Sequence, residues 1–178
     1  NKINHAIWTT LDSLPILPNA VEKASKIKNY WIWADFATKA LHELGHKHVK
    51  TIRGALDTKH FYKVDKDQSK KLRKFHGIDE NTFVVGFVFR NQLRKSVPNL
   101  LLGFKKFKQK TKNLHSAKLL LHTHFSEGWD IPREAKNAGV SMDDILCTYT
   151  CRSCKSYFVS NFKGQDKKCP LCGSEKGL

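Results

Sequence analysis

The run Phe83-Val-Val-Gly-Phe-Val-Phe89 decides the fold, because an unbroken apolar run is typical of a parallel strand buried on both faces. Downstream of it the sequence predicts a helix, a strand, a second helix and a third strand, over residues 100–107, 119–121, 132–138 and 144–148. Strands that alternate with helices are the pattern of an open parallel α/β sheet. We therefore expect this part of the chain to form such a sheet.

The residues upstream of this run show a similar pattern. Apolar strands are predicted at 5–11, 30–33 and 49–55, and a helix with apolar residues at helical spacing begins at Asp35. A lysine-rich helix is predicted near 67–76. The chain thus has two α/β segments in succession.

Four cysteines near the C-terminus form two Cys-x-x-Cys pairs. Cys151-Arg-Ser-Cys154 is separated by fourteen residues from Cys169-Pro-Leu-Cys172, and this spacing places four thiolates around one tetrahedral zinc ion. The intervening residues suit a hairpin whose first strand is 157–159. Two disulfides are the alternative, which is less favoured where no secretory leader opens the sequence.

A site filled by four thiolates has no open position for a catalytic water, so we expect structural Zn²⁺ bound by Cys151, Cys154, Cys169 and Cys172. The fifth cysteine, Cys147, lies in an apolar stretch and is interpreted as a buried thiol.

The charge of the chain indicates an anionic partner. Lys and Arg number 32 against 16 Asp and Glu, which leaves a net charge of +16. Nucleic acid, nucleotide phosphates and acidic lipid all fit such an excess. No apolar run approaches the length of a membrane span, so we expect a cytoplasmic protein, peripheral at the membrane if lipid is the partner.

Arg90 and Lys95 are the best candidates for binding phosphate. Both follow the strand at 83–89 and precede a helix, where anions bind in open α/β sheets. Arg contacts phosphate through two parallel hydrogen bonds, and Lys acts as a point charge. The stretch from Asn81 to Ser126 contains nine Lys or Arg and no acid.

The segment from Val85 to Leu101, Val-Gly-Phe-Val-Phe-Arg-Asn-Gln-Leu-Arg-Lys-Ser-Val-Pro-Asn-Leu-Leu, resembles the start of the nucleotide-sugar-binding domain in GT-B glycosyltransferases of family 4. These enzymes have a strand that ends in Arg, a Lys five residues later and a Leu-Leu pair in the next helix. The segment from Gly54 to Phe61 is similar to the link between their two Rossmann-like domains.

The resemblance implies a retaining glycosyltransferase of the GT-B type, with Rossmann-like open parallel sheets. Arg90 and Lys95 would bind the diphosphate of a UDP-, GDP- or ADP-sugar. Residues 1–57 would be the end of the acceptor-side domain with its linker, 58–148 the first half of the donor domain, and 149–178 a zinc ribbon. Catalytic residues and the acceptor are not indicated.

Two features depart from the family pattern. The family has Gly before the Arg, and this chain has Phe89, whose side chain could crowd the donor. The family's Glu-x7-Glu donor motif is imitated by Glu127 and Glu134, but these lie seven residues apart and too early in the fold. The true motif is expected beyond Leu178, so we expect this chain alone to be inactive in sugar transfer.

Two other interpretations stay open. The chain could be a nucleic-acid-binding zinc-ribbon protein without enzymatic activity, although no stacking platform with interleaved Arg is visible. His122 and His124 point to one face of a strand and, with Glu127, could make a metal site. A polar strand end is the more ordinary interpretation of such a pair.

Overall fold

A computed structural model describes residues 4–111, 116–162 and 168–175. The chain divides into two compact units, Asn1–Lys63 and Val64–Leu178. Each unit combines helices with one sheet, which is parallel in the first unit and parallel except for its last strand in the second. The α/β class predicted from the sequence is therefore confirmed.

The first unit has three parallel strands in the order β1-β2-β3, with one helix after each of the first two. Its elements are β1 (Ala6–Thr9), α1 (Pro18–Lys26), β2 (Asn29–Ile32), α2 (Asp35–Glu43) and β3 (Lys50–Thr51). The predicted third strand is shorter than expected. Helix α1 was not predicted, because it buries only Ala24 and begins without a capping side chain.

The second unit has a four-stranded sheet in the order β4-β5-β6-β7. The first three strands run parallel, and β7 is antiparallel to β6. Its elements are α3 (Lys66–Phe75), β4 (Phe83–Val88), α4 (Val97–Lys110), β5 (Ala117–His122), α5 (Ile131–Ala138), β6 (Ile145–Thr150) and β7 (Tyr157–Asn161). Short 3-10 turns lie at Leu93–Lys95 and Met142–Asp144.

The core of the second unit lies between this sheet and helices α4 and α5. Alternate residues of β5, Ala117, Leu119 and Leu121, are buried against the helices. From the helices, Leu101 and Ile131 are fully buried in the same cluster. Strand β5 thus attaches the sheet to helices α4 and α5. The carboxyl ends of the strands lie outside this core.

The expectation that residues 83–89 form a strand buried on both faces is wrong. β4 lies at the edge of the sheet, where only β5 pairs with it. Phe83 and Val88 are 48% and 76% exposed. Val88 lies on the face that α4 and α5 do not cover, whereas Phe83, at the start of the edge strand, packs only in part against Phe107 of α4.

The strand predicted inside the cysteine segment is present, but its partner differs from the expected one. Within the described part of the cysteine segment, β7 has no hairpin partner that follows it. It pairs with β6, in a register that sets Tyr157 opposite Thr150 and Asn161 opposite Leu146. The turn of this β6–β7 hairpin is the first Cys-x-x-Cys pair, so the cysteine segment is continuous with the α/β sheet.

The longest helix described is α4, with 14 residues that include several lysines. Within the described ranges, no helix has the length and apolar character needed to cross a membrane.

Substitutions in β5 should show which face of the sheet is buried in the core. We expect Leu121→Ala to lower the free energy of unfolding by about 2–5 kcal/mol, because it opens a cavity in the core. Leu120→Ala, on the opposite face and half-buried, is the matched control and should cost clearly less. Urea denaturation measures both. Equal losses would contradict the assignment of the buried face.

Candidate functional site

A cavity lies at the carboxyl ends of β4, β5 and β6, within the second unit. Its volume is about 1000 Å³, at the upper end of the range typical of ligand sites. Residues 88–90, 122–127 and 147–150 line it, together with Tyr157 and Phe162. This is the edge at which open α/β sheets bind ligands.

Arg90 lines the cavity and is paired with Glu127. The Arg90 Nη2 and Nε atoms lie 3.2 Å and 3.3 Å from Glu127 Oε2. Both side chains are more than half exposed. An exposed pair of this kind contributes little to stability and opens readily for a stronger anion.

The loop that carries Glu127 is fixed by a buried side chain. Asn91 is 1% exposed and makes two hydrogen bonds to Trp129: its Nδ2 donates to the Trp129 carbonyl, and its Oδ1 accepts from the Trp129 amide, at 2.9 and 3.1 Å. Gly128 has φ +70°, and a Cβ there would lie 2.2 Å from the Asn91 carbonyl oxygen. The loops after β4 and β5 are thereby locked together.

Sequence reasoning missed this arrangement. It weighed Glu127 as a metal ligand and as part of a donor motif, and did not pair it with Arg90. Two sequence features could have indicated a contact between these loops: the Asn directly after Arg90 and the glycine directly after Glu127. Neither signal identifies its partner, because the two loops are 37 residues apart.

Lys95 lies in the 3-10 turn that precedes α4 and is not among the residues that line the cavity. Its side chain is half-buried, and no ion pair or hydrogen bond to its ammonium occurs within the described ranges. The first turn of α4 contains no acidic residue. The structure thus brings Arg90 to the cavity and leaves Lys95 nearby in sequence, at the start of a helix.

Phe89 is 8% exposed and belongs to the core cluster beneath the helices. Its ring lies 4.5 Å from that of Phe87, centroid to centroid. The side chain that replaces the family's glycine is therefore largely withdrawn into the core, although Phe89 still contributes to the cavity wall.

His122 and His124 line the cavity, and His122 Nδ1 lies 2.8 Å from Thr148 Oγ1. They do not form a metal-ligating group with Glu127: among the residues that the structure describes, only the four cysteines do so. Between the histidines, the Thr123 hydroxyl oxygen is buried and has no hydrogen-bond partner in the described structure.

The four cysteine sulfurs form a compact group, with all Sγ atoms within 4.8 Å of one another. The Sγ–Sγ distances are 3.7 Å for Cys151 with Cys172 and for Cys154 with Cys169. A disulfide needs about 2.05 Å. Four sulfurs at about 2.3 Å from a central ion are about 3.8 Å apart. The group could therefore bind one metal ion, and the disulfide alternative does not fit.

The two cysteine pairs have the same backbone hydrogen bonds. The Cys151 amide donates to the Ser156 carbonyl and the Lys155 amide to the Cys151 carbonyl; the equivalent bonds link Cys169 with Ser174 and Gly173 with Cys169. Lys155 and Gly173 hold the equivalent position and have φ of +61° and +68°. The turns present their thiols in the same way, as a closed site requires.

The thiols differ in acidity when no metal is bound. Hydrogen bonds from the Ser156 hydroxyl and amide lower the pKa of Cys154 to about 6, and the Cys154 amide lowers the pKa of Cys151. The Ser174 amide lowers the pKa of Cys172, but desolvation and the neighbouring cysteines outweigh it and raise the value to about 11. A metal ion must therefore displace at least one proton at neutral pH.

Cys147 is buried, as expected, and takes no part in the sulfur cluster. Burial raises the pKa of its thiol to about 12. A thiol that stays protonated is neither a good ligand nor a nucleophile.

No protein-family model matches this chain, and comparison with curated proteins finds no relative. The function of the site therefore has to be argued from its own geometry.

Gly128→Ala tests the lock between the two loops. We expect a loss of at least about 1–2 kcal/mol in the free energy of unfolding, because alanine is disfavoured at positive φ and would clash with the Asn91 carbonyl. Gly103→Ala in α4 is the control: its Cβ meets nothing within 4 Å, so helix propensity should stabilise the chain by about 0.5–1 kcal/mol. Thermal denaturation measures both. Similar effects of the same sign would contradict the close contact between the Asn91 and Gly128 loops.

The four-cysteine group should bind one equivalent of Zn²⁺ with release of protons at pH 7. Cys151→Ser should weaken binding strongly, because a ligand is lost, whereas Cys147→Ala should leave the stoichiometry unchanged. Competition with a chromophoric chelator measures binding, and a pH indicator in weak buffer measures the protons. Equal binding by both variants would rule out this ligand set.

Proposed function

We propose that the chain is part of a retaining glycosyltransferase of the GT-B type, related to family 4, that uses a nucleotide-sugar donor. The observation that carries this proposal is the position of Arg90 in the cavity at the carboxyl end of β4. The Arg-x4-Lys spacing and the parallel sheet support it. Arg90 is the one Lys or Arg among the described residues that line the cavity.

The chemistry proposed for Arg90 is stabilisation of the leaving group. When the glycosidic bond to the donor breaks, negative charge develops on the diphosphate, and a guanidinium can bind two of its oxygens in parallel. The charge of Arg90 is compensated by Glu127 before binding. A diphosphate, with more than one charge, would displace Glu127 from the guanidinium.

Lys95 and the start of α4 would supply further positive potential. A helix N-terminus favours anions, and the 14-residue α4 has no acid in its first turn to oppose them. Lys95, whose ammonium lacks a partner within the described ranges, can extend toward a bound phosphate. In this proposal both groups assist Arg90 in binding the donor diphosphate.

The four-cysteine group is proposed to hold structural Zn²⁺. Thiolate ligands and tetrahedral spacing favour zinc, and four protein ligands leave no position for a substrate. When bound, the ion would supply stability to a segment too short to fold on a core of its own.

Substitutions at Arg90 and Glu127 test the proposed diphosphate site in opposite directions. Arg90→Ala should weaken binding of UDP, GDP or ADP by about 10- to 100-fold, the loss expected for hydrogen bonds to a charged group. Glu127→Gln should tighten it by up to about fivefold, because the competing carboxylate is removed. Isothermal titration calorimetry measures both.

Arg94→Ala is the matched control, because Arg94 is exposed and its guanidinium hydrogen-bonds only to Gln92 among the described residues. It should leave affinity almost unchanged. Equal weakening by Arg94→Ala and Arg90→Ala would indicate general attraction to the basic surface, and no binding of any nucleoside diphosphate would contradict the proposed function.

A nucleic-acid-binding role is the second candidate, favoured by the net charge of +16. It would show as affinity for an RNA or DNA oligonucleotide that falls steeply with salt and is insensitive to Arg90→Ala alone.

A further inference from the structure

The β6–β7 hairpin places an aromatic residue of the cysteine segment in the cavity. Tyr157 is the first residue of β7, two residues after Lys155 and three after the metal-ligand candidate Cys154. It lines the cavity with Thr150, the residue that it faces in the strand register. The cavity wall is therefore formed in part by the segment that the four cysteines fold.

The Tyr157 ring is not part of the core. It is 66% exposed, whereas the next residue, Phe158, is buried and stacks on Tyr149 at 5.6 Å. The Tyr157 hydroxyl has no hydrogen-bond partner within the described ranges. An exposed aromatic ring at the wall of a cavity offers a stacking surface for a flat ligand.

Tyr157 and Arg90 lie at opposite ends of the cavity edge. Arg90 follows β4 and Tyr157 begins β7, and the order β4-β5-β6-β7 separates these strands by three spacings. At about 4.8 Å per spacing, the strands are about 14 Å apart. A ligand with an anion at one end and a planar ring at the other could use both side chains, and a nucleotide has this chemistry.

We propose that Tyr157 stacks on the base of the bound nucleotide, and that metal binding by Cys151, Cys154, Cys169 and Cys172 controls the affinity for that base. This proposal rests on the proposed function for the position of the diphosphate at Arg90. It makes the cysteine segment part of the binding site for the ligand rather than a separate appendage.

The metal matters because the first pair of the β6–β7 hairpin, Thr150 with Tyr157, adjoins the turn formed by the first two cysteines. The turn 151–156 is closed by the backbone bonds of its own cysteine pair, and the second pair is connected to it by the sulfur cluster and by a Ser153–Ser174 hydroxyl contact of 2.8 Å. Without the ion, the four thiols lose their common ligand. The first residue affected in β7 is Tyr157, whereas the deeper pairs of β6 with β7 remain.

The test compares ligands with and without a base. Calorimetry with UDP, GDP, ADP and inorganic pyrophosphate is performed on the zinc-loaded chain and on Tyr157→Ala. We expect Tyr157→Ala to weaken binding of the preferred nucleoside diphosphate by about 5- to 150-fold, the range for loss of one base–aromatic stack. Pyrophosphate affinity should stay unchanged.

Two controls accompany it. Tyr157→Phe keeps the ring and should bind almost as the original chain does, and Tyr62→Ala removes a tyrosine of similar exposure from the first unit and should have no effect. Removal of zinc by a chelator should reproduce the loss seen in Tyr157→Ala, again without change for pyrophosphate, and added zinc should restore binding. Circular dichroism checks that the sheet persists.

The outcomes separate this proposal from the proposed function. If Tyr157→Ala and the zinc-free chain bind all three nucleoside diphosphates as before, the base-stacking proposal is wrong while the Arg90 site can stand. If Tyr157→Ala weakens nucleoside diphosphates but Arg90→Ala leaves pyrophosphate binding intact, the ring site stands and the diphosphate site is wrong. Nucleoside diphosphates that bind no better than pyrophosphate would also overturn the base-stacking proposal.

Discussion

The antiparallel pairing of β6 with β7 is the interaction on which the rest of the second unit depends. Parallel strands need a long crossover, whereas an antiparallel strand needs only a tight turn, and here the first cysteine pair provides that turn. The pairing sets the edge of the sheet and places Tyr157 at the cavity. It also connects a segment without a core of its own to the hydrophobic cluster, because the buried Phe158 stacks on Tyr149, which packs against that cluster. The four-cysteine group and the cavity are thereby adjacent.

A second long-range contact determines how much positive charge the cavity presents. Asn91 and Gly128 bring the loops after β4 and β5 together, and this places Glu127 against Arg90. The guanidinium is held in place but is compensated, so the cavity in the absence of ligand is less basic than the net charge of the chain suggests. Under the proposed function, a weak anion would gain little by replacing a carboxylate already in place, and a diphosphate would gain more.

The parts of the structure that local sequence determines were predictable. Strands β4, β5 and β6, helices α2 to α5 and the four-cysteine cluster follow from periodicity, strand length and cysteine spacing. What the sequence did not reveal depends on partners distant in the chain. The exposed face of β4, the pairing of β7 with β6, and the Arg90–Glu127 pair are set by sheet order and loop contact. An apolar run alone does not distinguish an edge strand from a central one.

The central claim is that the carboxyl edge of the second sheet binds a nucleotide. The most direct measurement is a ¹H–¹⁵N NMR titration of the zinc-loaded chain with UDP, GDP and ADP. The account predicts saturable shifts for one of them that are concentrated in 88–95, 122–129 and 147–158. Shifts spread over the lysines of α3 and α4, weakening together as salt is raised, or no shifts at all, would contradict it.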